Sequence, residues 1–514
     1  MRYHRPVPGA AAVISLLLLS ACLGRGPSSA RPGDRDTAAG NDLVRQYCSS
    51  CHLPVYPDML DSVVWTDHVL PAMAPHLGIG VWQEKEYYPR TRDTAGRLIS
   101  FDRWMALVDY YKAQAPKNIP PAQRPVPFRN DSFVFRLRKP LWTDSIHTAA
   151  TGMVCIDSSG HNVFFAGALD NLLYRWNGRD TPVAVRQLPS PAVRMLLEKD
   201  RPGRAVLTCI GNMRAVDRAE GEVLELPLNG DPKASPVVIA GHLPRPVQAV
   251  PGDFNGDGRQ DWVVCGFGHN RGGLFLLEQK ADGGFNRKVL REVPGAEQAV
   301  VTDFNRDGRP DILALFAQAD EGVWLFLNEG RGRFTVKNLL RFPPVFGSTS
   351  FQLTDVNKDG RPDILYTCGD NADYSQELKP FHGVYLFLNQ GGTRYRQAWF
   401  YPVNGCTKAV AADMDEDGDV DIASIAFFGD LEHCPEETFI CFEQDRPMHF
   451  IPHAIPVHAS GRWISMDLGD LDGDGDPDIV LGNYSNGLII QDHLVPDWNT
   501  TLPVILLENK SRMP

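Results

Sequence analysis

The chain has 514 residues, with 63 acidic against 51 basic side chains and a formal net charge of −12. That length exceeds one ordinary core and calls for several domains or one large repetitive one. A hydrophobic fraction of 43% excludes wholesale disorder, and the acidic balance argues against a nucleic-acid partner, which needs clustered Lys and Arg.

Residues 1–21 read as a secretory signal. Arg2 and Arg5 form its positive start, and Ala10 to Leu19 make an apolar run too short for a stable transmembrane helix. No later stretch reaches 18 uninterrupted apolar residues, so the mature chain is expected to be tethered to a membrane and not to span it. The run ends in Leu19-Ser20-Ala21-Cys22, which resembles the lipobox of bacterial lipoproteins. The resemblance implies lipidation of Cys22 and a place in the bacterial cell envelope, facing the periplasm or at the cell surface. Residues 22–39, rich in Gly, Ser, Pro and Ala, are expected to form a flexible tether.

Residues 40–117 are expected to form a small all-α domain. Cys48-Ser49-Ser50-Cys51-His52 is the c-type haem attachment pattern. Two thiols three apart near a helix end each add to one porphyrin vinyl group, and the adjacent His becomes an axial iron ligand. Among the ten cysteines there is no second CxxC to complete a zinc tetrahedron. Asn41 is expected to cap a helix carrying Leu43, Val44 and Tyr47. A closing helix from Phe101 to Gln114, capped by Ser100, places Phe101, Trp104, Met105 and Val108 on one face. The order resembles a mono-haem cytochrome c, with one haem c held by Cys48, Cys51 and His52. Met73, 21 residues past His52 and flanked by Pro71 and Pro75, is the preferred sixth ligand. His68, His76 and Met59 remain rivals.

Residues 118–130 belong to a Pro-rich, semi-rigid linker. One acidic pattern then recurs five times. Its first three copies carry Asp253, Asn255, Asp257 and Asp261; Asp303, Asn305, Asp307 and Asp311; and Asp355, Asn357, Asp359 and Asp363. The fourth carries Asp413, Asp415, Asp417 and Asp421, and the fifth Asp470, Asp472, Asp474 and Asp478; the starts lie 50, 52, 58 and 57 residues apart. Oxygen ligands at positions 1, 3, 5 and 9, with Gly at 6 for a sharp turn, suit up to five Ca²⁺ ions. An EF-hand is excluded, because position 12 of the first copy is Val264.

Each acidic loop lies between short apolar runs, four strands to a period of 50 to 58 residues, which is the pattern of a propeller blade. The motif resembles the FG-GAP/VCBS repeats of integrin α-subunit propellers. Two loop-free units, starting near Met153 and Val193, bring the expectation for residues 131–514 to seven blades. The last blade runs out of chain after its third strand, so Phe133-Val-Phe-Arg-Leu is expected to supply its outer strand and close the ring. Cys209, Cys265 and Cys368 read as small apolar residues at strand ends, whereas Cys434 and Cys441 share one loop as a candidate disulfide.

The expected fold is therefore multidomain: a small all-α cytochrome c domain followed by an all-β seven-bladed propeller. The leading functional expectation is electron transfer, with the Ca²⁺-stabilised propeller docking a redox partner protein, a small molecule or a glycan. Alternatives are an oxidoreductase whose substrate site lies in the propeller, and an adhesin or carbohydrate-binding protein. The long loops opposite the acidic ones, with Asp370, Tyr374, His433, Asp492, His493 and Trp498, are the candidate recognition surface.

Overall fold

The computed structural model describes residues 32–83, 86–89, 98–198, 201–228, 235–372, 377–485 and 494–512. The signal, Cys22, Tyr374, Asp492 and His493 lie outside the described residues.

Seven antiparallel sheets form from seven stretches of similar length. Blade 1 comprises Thr151–Asp157, Asn162–Gly167, Leu172–Trp176 and Val183–Gln187, and blade 2 Ala192–Leu197, Arg204–Cys209, Gly221–Pro227 and Val237–Leu243. Blades 3 to 6 begin with the inner strands Pro246–Gly252, Ala296–Thr302, Ser348–Thr354 and Cys406–Ala412. Blade 7 contains Trp463–Gly469, Asp478–Asn483 and Val504–Asn509, and its fourth strand is Phe135–Arg138. Leu506 pairs with Arg138 and Asn509 with Phe135, antiparallel, so the segment just after the linker closes the ring as expected.

The second strands of blades 3 to 7 are buried along their whole length. This is why they read as continuous apolar runs and not as alternating ones. Seven apolar clusters lie between consecutive blades; one joins Val154, Phe165 and Trp176 of blade 1 to Leu471, Val480 and Leu506 of blade 7. Inner strands are too far apart for a shared ladder, and side chains bridge them instead. Gln248 Oε1 accepts from Ala299 N (2.7 Å), Gln298 Nε2 donates to Phe351 O (2.8 Å), Lys408 Nζ donates to Met466 O (2.7 Å), and Asp467 Oδ2 accepts from Ile156 N (2.8 Å).

A small, mainly helical unit precedes the ring; the all-α expectation is corrected, because Ile79–Trp82 and Glu86–Pro89 pair as a short antiparallel sheet. Its first helix, Pro32–Leu43, starts inside the stretch expected as tether, and a widened turn, Val44–Cys48, continues it. Asn41 therefore lies within the helix and caps nothing; its Oδ1 accepts from Tyr110 Oη at 2.7 Å. The closing helix is Phe101–Gln114, with Ser100 Oγ accepting from Arg103 N as its cap. Its buried face is Trp104, Leu107, Val108, Tyr110 and Tyr111, while Phe101 and Met105 are only half-buried. The two helices meet closely at Gly40, where a Cβ would fall 2.0 Å from the Tyr110 ring. Val345 of the propeller packs on this core, and the Asp61 and Glu377 carboxyl groups meet across the contact.

The linker is docked and not free. Arg124 pairs with the buried Glu437, Tyr401 Oη donates to Val126 O (2.7 Å), and Arg129–Asn130 adds a fifth, parallel strand to blade 6. The cysteine expectation is corrected at one pair. Cys434 and Cys441 are free thiols, because Cys441 lies inside the strand Phe439–Arg446 and faces Met414 Sδ, while Cys434 is held by Arg124. Cys209, Cys265 and Cys368 are fully buried at the ends of second strands.

Candidate metal centres

Each acidic loop joins the first to the second strand of its blade, and two left-handed residues curl it. Position 4 has φ of 77, 61, 57, 63 and 84° at Gly256, Arg306, Lys358, Glu416 and Gly473, and the position-6 glycines follow at 79 to 96°. Only glycine takes the second of these without strain, which is why position 6 never varies. The curl aims backbone N–H groups at the first Asp: Asp253 Oδ2 accepts from Gly258 N (2.9 Å), Asp303 from Gly308 N (2.8 Å), and Asp355 from Gly360 N (2.7 Å).

Position 9 does something that its acidity alone does not reveal. Asp261, Asp311, Asp363, Asp421 and Asp478 are almost wholly buried, and both oxygens of each accept backbone N–H bonds. One bond comes from position 2 and the other from the end of the third strand, as in Asp311 with Phe304 N (3.0 Å) and Asn328 N (2.7 Å). These carboxylates pin the loop to the blade interior. Burial raises all five above the usual carboxylate range, Asp421 and Asp478 to about 7.

The five loops fall into two groups at position 7. In the first three, Arg259, Arg309 and Arg361 pair with Asp257, Asp307 and Asp359. Each also donates from Nε to a third-strand carbonyl, at Gln279, Asn328 and Asn389. The fourth and fifth loops have Asp419 and Asp476 there instead. Among the described residues, Asp413, Asp415 and Asp421, and likewise Asp470, Asp472 and Asp474, bring carboxylate oxygens within 4.8 Å of one another. Asp413 Oδ1 is buried without a donor, so this donor set, hard oxygens with an unfilled acceptor, fits a divalent cation.

In the helical unit, the chain places Cys48 at the end of the first helix and Cys51 and His52 in the turn beyond it; both thiols are free. Burial pushes the Cys48 thiol up to about 11. His52 Nδ1 lies 2.7 Å from Leu53 O, which only accepts, so Nδ1 carries the proton and Nε2 keeps its lone pair for a metal. Cys48, Met59 and Met73 all pack half-buried on one core, whereas His68 and His76 are exposed. Trp104 Nε1 and Tyr87 Oη are buried with no partner. Free thiols, a His with Nδ1 turned to Leu53 O and orphaned donors would suit a haem with polar edges.

Of the candidate recognition residues within the described chain, His433 pairs with Asp430, and Trp498 Nε1 donates to Ser485 Oγ at 2.8 Å. Asp370 neighbours the buried Glu321 and Lys379. The buried Glu321 and Lys379 carry no mark in their local sequence; Glu321 accepts from Ser348 Oγ (2.8 Å) and Lys379 Nζ donates to Asn371 Oδ1 (2.9 Å).

A family model described as FG-GAP-like repeat matches residues 253–314 and 303–366, and one described as FG-GAP repeat matches 462–492. A search of curated proteins finds no match. Among solved structures, a luciferin-regenerating enzyme is similar at 10% identity and a TM-score of 0.36, over 73% of this chain and 95% of that one. A nidogen/laminin complex is similar at 11% identity and a TM-score of 0.33, over 50% and 82%. Such scores are too low to carry an argument. The matched segments fall within blades 3 to 5 and blade 7, so part of the seven-bladed β-propeller consists of FG-GAP-like repeats.

Proposed function

We propose that the chain is an exported, lipid-anchored electron-transfer protein in which residues 40–117 hold one haem c and the Ca²⁺-stabilised propeller docks a partner or ligand. Cys48 and Cys51 attach the haem, His52 and Met73 hold its iron, and Cys22 carries the lipid. When bound, the haem supplies one-electron redox chemistry. The observation that carries the reading is the Cys48–His52 segment itself, with its imidazole protonated at Nδ1 toward Leu53 O. The carbonyl of Leu53 fixes the orientation of the ring. Trp104 Nε1, buried without an acceptor, would be a donor for the polar edge of a bound haem, and the apolar core around it would exclude water.

The acidic loops hold Ca²⁺ as structural ions, through Asp or Asn at positions 1, 3, 5 and 9. Nothing in their geometry leaves a substrate position, so recognition is assigned to the opposite, longer loops. The test is a pyridine haemochrome spectrum of protein made in a host that matures c-type cytochromes. A covalently retained haem of c type supports the reading; no retained haem overturns it. Met73→Ala with an unchanged ligand-field spectrum removes Met73 as sixth ligand.

A further inference from the structure

The fifth acidic loop holds one carboxylate that the ligand positions do not use. Asp476, at position 7, is fully buried, and its Oδ1 has no donor. Its side chain touches that of Asp474, which in turn touches Asp472. Three carboxylates in contact, one of them wholly out of water and half unsatisfied, repel one another unless a cation lies among them. The equivalent position in the fourth loop is already neutralised, since Asp419 pairs with Lys358 of the third loop at 2.6 Å. In the first three loops an arginine occupies the place.

The other oxygen of Asp476 points at the end of the chain. Oδ2 accepts from Arg512 N at 3.3 Å, and Arg512 Nη1 donates to Asp474 O at 3.0 Å. The same guanidinium pairs with Glu416 of the fourth loop. Ser511 Oγ and Asn509 Nδ2 both donate to Met414 O of that loop, at 2.8 and 2.7 Å. Residues 509–512 thus lie across two acidic loops.

We propose that the side chain of Asp476 is an additional ligand for a divalent cation in the fifth loop, and that this ion seats the C-terminal segment 509–512 across the fourth and fifth loops. The inference rests on the reading of these loops as Ca²⁺ sites. With the ion bound, Asp476 is held in one orientation, and its Oδ2 keeps the Arg512 amide. Without it, the three carboxylates spread and the amide loses its acceptor.

The test uses the full chain, stripped with chelator and titrated with Ca²⁺ by calorimetry, with hydrogen exchange read at residues 510–512. Wild type is expected to bind Ca²⁺ and to gain protection there on binding. Asp476→Asn is expected to weaken one site at least tenfold and to leave the tail as unprotected as in chelator. Equal affinity and stoichiometry in Asp476→Asn overturn the inference while the Ca²⁺ reading stands. Wild type that binds no Ca²⁺ overturns the reading beneath it. Arg512→Ala, a change at the surface, removes a like charge near the ion and is expected to keep or raise affinity while abolishing tail protection. A fall in affinity there also overturns the inference.

Discussion

The helical unit rests on one cluster of fifteen buried side chains, from Val44 to Tyr111, whereas the propeller spreads its apolar contacts over eight clusters among the described residues, one at each of the seven blade junctions and a small one around Phe427 and Tyr484. A unit of about 80 residues has too little interior to be robust and leans on something extra, such as a covalent group. The ring has interior to spare, and its weak points are local: loops in which carboxylates crowd. The difference teaches that loss of a prosthetic group and loss of a metal ion should damage different halves of the same chain.

The sharpest way to break that comparison is the double variant Cys48→Ala and Cys51→Ala. Covalent haem should vanish entirely and the helical unit should lose its cooperative calorimetric transition, while that of the propeller persists. A helical unit that melts as before would show that it needs no bound group. Chelation should act on the other half. If two sites are filled at 100 times their Kd, removing the ions costs about 5 kcal/mol, from about 2.7 kcal/mol each. The propeller transition should fall by several degrees in a melting scan and the helical one should not move.

A smaller effect follows from Glu321, which is buried between blades 4 and 5 and accepts from Ser348 Oγ at 2.8 Å. Burial raises its carboxyl from the ordinary 4.5 to about 8. The folded chain therefore keeps a proton that the unfolded chain has released. Its contribution is full below about 4.5 and is lost as pH rises through about 8, at up to about 1.4 kcal/mol per pH unit. Glu321→Gln should flatten that part of the urea-midpoint profile; an unchanged slope would assign it to other groups. Asp311→Ala leaves two buried N–H groups without acceptors and should cost about 3 kcal/mol in the propeller, read by urea unfolding. Ser100→Ala removes one helix cap and should cost about 1 kcal/mol, confined to the helical transition.

How far these features were legible depended on whether a local rule was repeated. Five loops in step exposed five blades, and the missing strand of the seventh pointed to Phe135–Arg138. The fourth strands of blades 1 and 2, Val183–Gln187 and Val237–Leu243, carry exposed valines on an outer edge, so no apolar pattern announced them. The first helix was read as beginning near Asn41, because residues 32–40 have almost no apolar face to signal it. The acidity of the position-9 carboxylates suits a ligand, but their second role, two backbone bonds that reach strands up to 31 residues away, is displayed in no loop sequence. The division at position 7 was present in the letters, Arg three times and Asp twice, but its meaning needed the third-strand carbonyls that the arginines reach.

The strand Phe135–Arg138 waits for its partner. Leu506, opposite Arg138, is made 368 residues later, and at about 5 to 20 residues per second of synthesis the delay is tens of seconds. Until then blade 7 is incomplete, the strand has no neighbour, and the growing stack of blades presents an open edge at each end. A chain without Val504–Asn509 would keep both edges open, so closure of the ring depends on a single strand pairing between its two most distant segments.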